Sequence, residues 1–359
     1  MGACQSMFPN EELREQIKVN KQIERALVKP KGGMLEQHVL LLGPGESGKS
    51  TVMKQMKAMS GAYSKEDLKA MKKLMFQNLH MFSNELINQV SFYSLQHDVR
   101  EELIESFRKM VDDLRIAGEN MNGLDNELAE RIKAFWSHRA IQETFENRDK
   151  FHLTESAAYL FANIDRIKSR DFEPTMQDIF HTRKPTVGVN REEVVLKNIK
   201  LIVCDCGGQR SERRKWFHLF TDNHAVLFVA AISEYDQVIV ENEQTNRIDE
   251  AVNLFGVVFN GKYFNKSSII LFLNKFDIFE EKVKRVPIKN YFDTFEGENN
   301  ATNGARFFRR RFMKKLKEES IKKRVYIHET CAISDQVQLV INTVIDTVVQ
   351  ENLKDTGMI

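Results

Sequence analysis

The chain has 359 residues, 42% of them hydrophobic and 29% charged, with 53 Lys and Arg against 51 Asp and Glu for a net charge of +2. At roughly 100 to 200 residues per domain, this length allows two or three domains with substantial cores, and the ordinary composition excludes small stapled scaffolds and collagen-like, disordered or integral-membrane chains. No run of about 18 apolar residues occurs, and residues 1–30 mix Glu, Lys, Arg and Asn, so neither a membrane span nor a secretory leader is expected. Cys4, Cys204, Cys206 and Cys331 show no C-x-x-C spacing, which points to a reducing cytosol and away from disulfides or zinc.

Residues 8–31 carry a helical charge pattern with Leu13, Ile17, Asn20 and Leu27 near one face, too little apolar surface to hold a helix without a partner. Val39 to Leu42 is an apolar strand running into a Gly-rich turn. The same strand pattern recurs at 199–204, 225–232, 268–273 and 325–328, while 188–196 reads as an edge strand. Such runs, lacking polar alternation and separated by helices, predict a mainly parallel sheet covered on both faces. Between about 62 and 180 the period changes to three and four, through Leu68, Met71, Met75, Leu79, Phe82, Leu86 and Val90. Ser64 followed by Asp67 supplies a capping-box start to this long helix. Further stripes follow at Leu103, Phe107, Met110 and Leu114, at Leu128, Ile132 and Phe135, and at Leu153, Ala157, Leu160 and Ile164. The fold class is therefore α/β with an inserted all-α domain. Residues 306–324 hold ten Lys and Arg against Glu318 and Glu319. With Phe307, Phe308, Phe312 and Leu316 interleaved, they fit either a solvated helix with one buried face or a basic surface for lipid, an acidic partner or nucleic acid. The last helix, about Val337 to Leu353, turns Val337, Ile341, Val344 and Val348 inward.

Three segments at strand ends carry chemistry. Gly43-Pro44-Gly45-Glu46-Ser47-Gly48-Lys49-Ser50-Thr51 fits G-x-x-x-x-G-K-[ST] between a strand and a helix, a phosphate-binding loop. Its glycines let backbone N–H groups converge on phosphates, Lys49 supplies a mobile charge, and Ser50 is left for magnesium. Asn274-Lys275-Phe276-Asp277 reads as guanine recognition, because the Asp277 carboxylate can accept from both the ring N–H and the exocyclic amine of guanine. Thr330-Cys331-Ala332 can bring a backbone N–H to the guanine carbonyl. In Asp205-Cys206-Gly207-Gly208-Gln209 the paired glycines admit a γ-phosphate, Asp205 can hold magnesium through water, and Gln209 can orient an attacking water.

Over essentially its whole length the chain resembles the heterotrimeric G protein alpha subunits. The family's G-x-G-E-S-G-K-S-T loop, D-x-G-G-Q-R-S-E-R stretch, N-K-x-D, T-C-A and N-L-K-D-x-G ending all occur in order. The resemblance implies a Ras-like P-loop GTPase domain with a six-stranded, mainly parallel sheet from residues 34–60 and 185–359. It also implies a helical insertion with linkers at 61–184 and an N-terminal helix within 1–33. By position it assigns Arg183 as an arginine acting in cis, Thr186 as a second magnesium ligand, and Ser156 as a nucleotide contact from the helical domain. It implies slow, magnesium-dependent hydrolysis of GTP to GDP and phosphate. The partners implied are a beta-gamma dimer on the N-terminal helix and Arg210 to Trp216, a seven-transmembrane receptor on the tail Asn352 to Ile359, an effector and a GTPase-activating regulator, with no nucleic acid. Met1-Gly2-Ala3-Cys4-Gln5-Ser6 fits the pattern for myristoylation at Gly2, with Cys4 beside it for palmitoylation, which would anchor the protein at the cytoplasmic face of the plasma membrane. Thr356 stands where one subfamily has the Cys modified by pertussis toxin, so that modification is not expected.

Some positions depart from the family pattern. His181 replaces Arg, Lys184-Pro185 replaces Val-Lys, Pro44 replaces Ala, and Cys206 replaces Val. Pro185 fixes its own φ and pushes Lys184 towards extended geometry beside Thr186, which predicts a stiffer first switch. An alternative follows: a nucleotide-binding signalling scaffold with negligible hydrolysis. An ATP-driven enzyme is disfavoured by the Asn274/Asp277 pair.

Overall fold

A computed structural model describes residues 34–93, 100–120, 123–239, 241–317 and 325–355. The expected N-terminal helix, Gly2, Cys4 and Thr356 lie outside these residues, as does the basic stretch 318–324. The chain divides into two compact units, Ala62–Pro185 and the segments flanking it, one residue later at each end than the sequence boundaries placed them.

In the flanking unit, β1 (Leu35–Leu42) leads through the phosphate loop into α1 (Lys49–Met59). In the inserted unit, α2 (Lys65–Tyr93), α3 (Glu101–Asn120), α4 (Asn126–Ser137), α5 (Arg139–Glu146), α6 (Ser156–Ala162), α7 (Ile164–Ile167) and α8 (Met176–His181) follow in turn. The first unit resumes with β2 (Val189–Leu196), β3 (Ile199–Cys206), β4 (Ala225–Ala231), a short hairpin of β5 (Val238–Ile239) and β6 (Asn242–Asn246), and α9 (Arg247–Phe259). It closes with β7 (Ser268–Asn274), α10 (Phe276–Val283), α11 (Ala301–Lys314), β8 (Val325–Glu329) and α12 (Gln336–Asp355).

The main sheet has six strands in the order β2-β3-β1-β4-β7-β8, parallel except for the antiparallel β2. Alternation along β1 feeds two cores. Val39 and Leu41 pack with Val52, Met53 and Met56 of α1 and with Val344 and Val348 of α12, whereas Leu40 and Leu42 pack with Phe255 of α9 and Phe308 and Phe312 of α11. Successive strand side chains point to opposite faces, so a strand covered on both sides must be apolar throughout. β8, expected as a buried run, is instead the second edge of the sheet, with its side chains half-exposed. Its burial falls because, among the described residues, no strand lies beyond it.

The basic helix α11 buries Phe307, Phe308 and Phe312 and exposes Arg306, Arg309 and Arg310, which is the arrangement with one buried face. In the inserted unit the apolar stripes meet in a single helical core containing Met75, Leu79, Phe82, Leu114, Ile132, Phe135, Leu160 and Ile164. The start of α2 is a reciprocal capping box: Asp67 N–H donates to Ser64 Oγ at 3.1 Å, and Ser64 N–H donates to Asp67 Oδ2 at 3.0 Å.

Candidate functional site

The phosphate loop, Asp205-Cys206-Gly207-Gly208-Gln209, Asn274-Lys275-Phe276-Asp277 and Thr330-Cys331-Ala332 all leave the C-terminal ends of sheet strands, where ligands of open α/β sheets bind. Lys49, the first residue of α1, is buried, and its Nζ donates to the carbonyls of Gly43 at 3.0 Å and Pro44 at 2.7 Å. Burial pulls its pKa down to about 8, against the opposing charge of Asp205. Gly48 holds φ 101°, a left-handed value, and a Cβ there would stand 2.2 Å from Asn274 Nδ2. Glycine is therefore required where the loop turns into the helix.

Ser50, Thr186 and Asp205 lie within hydrogen-bond distance of one another. Ser50 Oγ donates to Asp205 Oδ2 at 2.6 Å, Thr186 Oγ1 donates to the same oxygen at 3.2 Å, and the two hydroxyls lie 2.8 Å apart. Burial raises the Asp205 pKa, opposed by Lys49 and by both hydroxyls. Its other oxygen, Oδ1, is buried with no hydrogen-bond partner among the described residues. Two hydroxyls and a carboxylate with an unused oxygen form an all-oxygen donor set of the kind a small hard cation takes.

Gly208 approaches the loop closely: a Cβ on it would lie 2.4 Å from Lys49 Nζ and 2.5 Å from the Pro44 carbonyl oxygen. The carbonyl of Gly208 accepts from Arg213 Nε at 3.1 Å, and Arg213 reaches Glu250 on α9 at 2.6 Å, where Arg210 also binds at 2.7 Å. Trp216 Nε1 donates to the Gly207 carbonyl at 2.9 Å. The Gly207 N–H donates to the Gly188 carbonyl, and the Gly188 N–H donates to Glu212, so the segments after Thr186 and after Asp205 are tied to each other. Gln209 is exposed beside Gly45. Sequence reasoning missed Arg213 and Glu250 because nothing local marks a pair 37 residues apart.

The segments assigned to base reading also make contacts within the protein. Asn274 is 1% exposed, and its amide is bonded to two other loops: Nδ2 donates one hydrogen to the Ser47 carbonyl at 2.8 Å, while Oδ1 accepts from Ala332 N–H at 3.0 Å and Thr330 Oγ1 at 3.2 Å. Asn274 therefore braces the phosphate loop against the segment after β8, and the Ala332 N–H is engaged by that brace. Lys275, at φ 56°, ion-pairs with Glu234 at 2.7 Å. Glu234 also binds Arg247 at 3.0 Å, and Arg247 binds Glu46 of the phosphate loop at 2.9 Å. Against burial, the two carboxylates raise the Arg247 pKa and hold it charged. Asp277 lies against the Cys331 thiol, whose pKa is pushed up to about 11 by burial and then by the Asp277 charge. Cys206 is fully buried in the core, with its thiol pushed up to about 12 by burial, so it serves as a packing residue.

Arg183 and Ser156 belong to the inserted unit. Ser156 opens α6, and its N–H lies 3.4 Å from Thr154 Oγ1. Arg183 follows α8, and its backbone is held by Asn78 of α2, a residue the sequence reading passed over. His181 stacks on Tyr159 with ring centroids 3.8 Å apart. Lys184 and Pro185 are exposed.

The family profile described as G-protein alpha subunit matches residues 11–348. The chain is 56% identical over 365 residues to the guanine nucleotide-binding protein alpha-10 subunit of Caenorhabditis briggsae, and 36% identical over 366 residues to the alpha-17 subunit of Caenorhabditis elegans, with full coverage of both chains in each case. It is 38% identical to the G(o) subunit alpha of Planorbella trivolvis, over 89% of this chain and 90% of that one. With its phosphate loop, oxygen cluster and six-stranded sheet, the chain belongs to the G-protein alpha-subunit family, as a GTP-binding signalling transducer and a GTPase.

Proposed function

We propose that this alpha subunit cycles between a GDP state held by a beta-gamma dimer and a GTP state that engages an effector, with loading driven by a seven-transmembrane receptor at the α12 tail. The observation that carries this reading is the path outward from the phosphate loop: Gly208 against Lys49, its carbonyl on Arg213, and Arg213 on Glu250 of α9. A γ-phosphate that draws Gly208 in orders Arg210 to Trp216, and its loss frees them. Ser50, Thr186 and Asp205 (through water) would hold Mg2+, which on binding neutralises phosphate charge. Gln209 orients the attacking water. Arg183, three residues before Thr186 in the chain, stabilises charge on the transferred phosphoryl group. Asp277, with Cys331 beside it, reads the base. Myristate on Gly2 and palmitate on Cys4 hold the protein at the cytoplasmic face of the plasma membrane.

The scaffold alternative has no observation in its favour. Ser50, Thr186 and Asp205 meet at hydrogen-bond distance with Pro185 in place. Single-turnover phosphate release tests the reading: protein loaded with GTP and started with magnesium releases phosphate slowly, and an ATP control does not. Gln209→Leu and Arg183→Cys each retain GTP while losing most of the release; normal turnover in either removes that residue from the mechanism.

A further inference from the structure

Asn78 lies in the middle of α2, among Met75, Phe76, Leu79 and Phe82 on the buried side of the helix, and is 3% exposed. Asparagine is a weak helix former, and a buried carboxamide is costly unless its donor and acceptor are both used. Both are used here, on one residue. Asn78 Oδ1 accepts from the Arg183 N–H at 2.6 Å, and Asn78 Nδ2 donates to the Arg183 carbonyl at 2.8 Å, across 105 residues of sequence. The preceding residue is fixed to the same helix: Thr182 is 4% exposed, and its hydroxyl donates to the Ile179 carbonyl at 2.6 Å and lies 3.7 Å from Met71 Sδ. Met71 and Asn78 are seven residues apart and share a face of α2.

We infer that Asn78 is a positioning residue for hydrolysis: its carboxamide clamps both main-chain polar groups of Arg183 and so sets the point from which the guanidinium reaches the transferred phosphoryl group. This rests on the reading of Arg183 as the arginine that acts in cis. The clamp works on the main chain, so its loss lets the origin of the side chain drift without removing the charge. Misplacement of a catalytic group by about 1 Å can cost roughly 100-fold in rate, so a tenfold or greater loss is expected.

The test uses the full chain with Asn78→Ala, Asn78→Asp, Arg183→Ala and the double variant Asn78→Ala/Arg183→Ala. Single-turnover GTP hydrolysis, GTPγS affinity and affinity for the transition-state mimic GDP with aluminium fluoride are measured on each. Asn78→Ala is expected to lower the hydrolysis rate about tenfold or more and to weaken the aluminium fluoride complex in proportion, with GTPγS affinity unchanged. Asn78→Asp keeps the acceptor for the Arg183 N–H and loses the donor, so it falls between wild type and Asn78→Ala. It carries the same comparison if the alanine variant does not fold. In the Arg183→Ala background, Asn78→Ala adds no further loss. Equal losses in both backgrounds, a parallel loss of GTPγS affinity, or a wild-type rate in Asn78→Ala would each overturn the clamp alone. A wild-type rate in Arg183→Ala would sink the parent reading and this inference with it.

Discussion

Gly208 and His224 show how single residues couple chemistry to the fold. A methyl group on Gly208 would stand 2.5 Å and 2.6 Å from the Pro44 and Gly43 carbonyl oxygens, both backbone atoms that cannot swing aside. Gly208→Ala should therefore keep GDP but fail to close on GTP. Trp216 reports this, since its indole N–H is bonded to the neighbouring Gly207 carbonyl. The rise in Trp216 fluorescence on GTPγS binding is expected to be mostly lost, and a full rise in the variant would show that close approach at Gly208 is not the coupling. His224 Nδ1 accepts the His38 backbone N–H at 2.9 Å, which requires that nitrogen to be unprotonated. Burial, and secondarily the nearby His38, lowers the His224 pKa below its ordinary value, with Glu36 and Asp222 opposing. The unfolded chain therefore takes up this proton first as pH falls. The contribution is complete above the unfolded value of about 6.5 and is lost as pH falls through the lower folded value. His224→Asn keeps an acceptor with nothing to protonate. Urea midpoints at about pH 7.5 and 5.5 should differ less in that variant than in wild type, and equal differences would exclude His224 as the sensor.

Between elements, the contact of β1 with α12 contains a polar residue where the pattern calls for an apolar one. Gln37 shares the face of β1 that carries Val39 and Leu41 towards α12, and it is fully buried. Its Oε1 accepts from Asn352 at 3.1 Å, but its Nε2 finds no acceptor among the described residues. An unsatisfied buried donor costs about 1 to 3 kcal/mol, and the hydrogen bond returns about 1 kcal/mol. Gln37→Met, which roughly conserves volume, is expected to stabilise the protein by about 1 kcal/mol in chemical unfolding, and a loss of stability would mean that the amide is better satisfied than its contacts indicate. The same residue explains why only Val39 to Leu42 of β1 was legible in the sequence: Gln37 and His38 interrupt the apolar run that marks a covered strand. The phosphate loop and the helical stripes were legible because their signals are contiguous or periodic. Asn78 on Arg183, Arg213 on Glu250 and the chain from Lys275 through Glu234 and Arg247 to Glu46 were not, since each joins segments that no local pattern relates. The hydrogen bonds of Asn274 to the Ser47 carbonyl and the Ala332 N–H were not legible for a related reason, because they join two other loops that the local motif does not relate.

At the scale of the molecule, the inserted unit draws its core entirely from its own residues. Every buried member of that cluster, from Met75 to Phe172, lies within Ala62–Pro185, and the two cores on the faces of the sheet take nothing from it. It also has its own buried polar network. Asp178, fully buried, accepts from Arg166 at 2.7 Å, from Tyr159 at 2.9 Å and from the Thr175 N–H at 2.7 Å, the last within a capping box at the start of α8. Against burial, these donors hold the Asp178 pKa below its ordinary value, so its charge is fully used. A unit of this size with a contiguous core and a fully hydrogen-bonded buried carboxylate meets the physical requirements for folding alone. Residues 62–185 expressed as a separate polypeptide are therefore expected to be helical by circular dichroism and to melt cooperatively, with Arg166→Ala lowering that stability by about 1.5 to 3 kcal/mol through loss of the charged hydrogen bonds to Asp178, which keeps Tyr159 and Thr175 as donors. Retained helicity with a broad melt and dye binding would indicate a molten state, and would mean that the insertion takes its specific packing from the GTPase unit rather than from its own core.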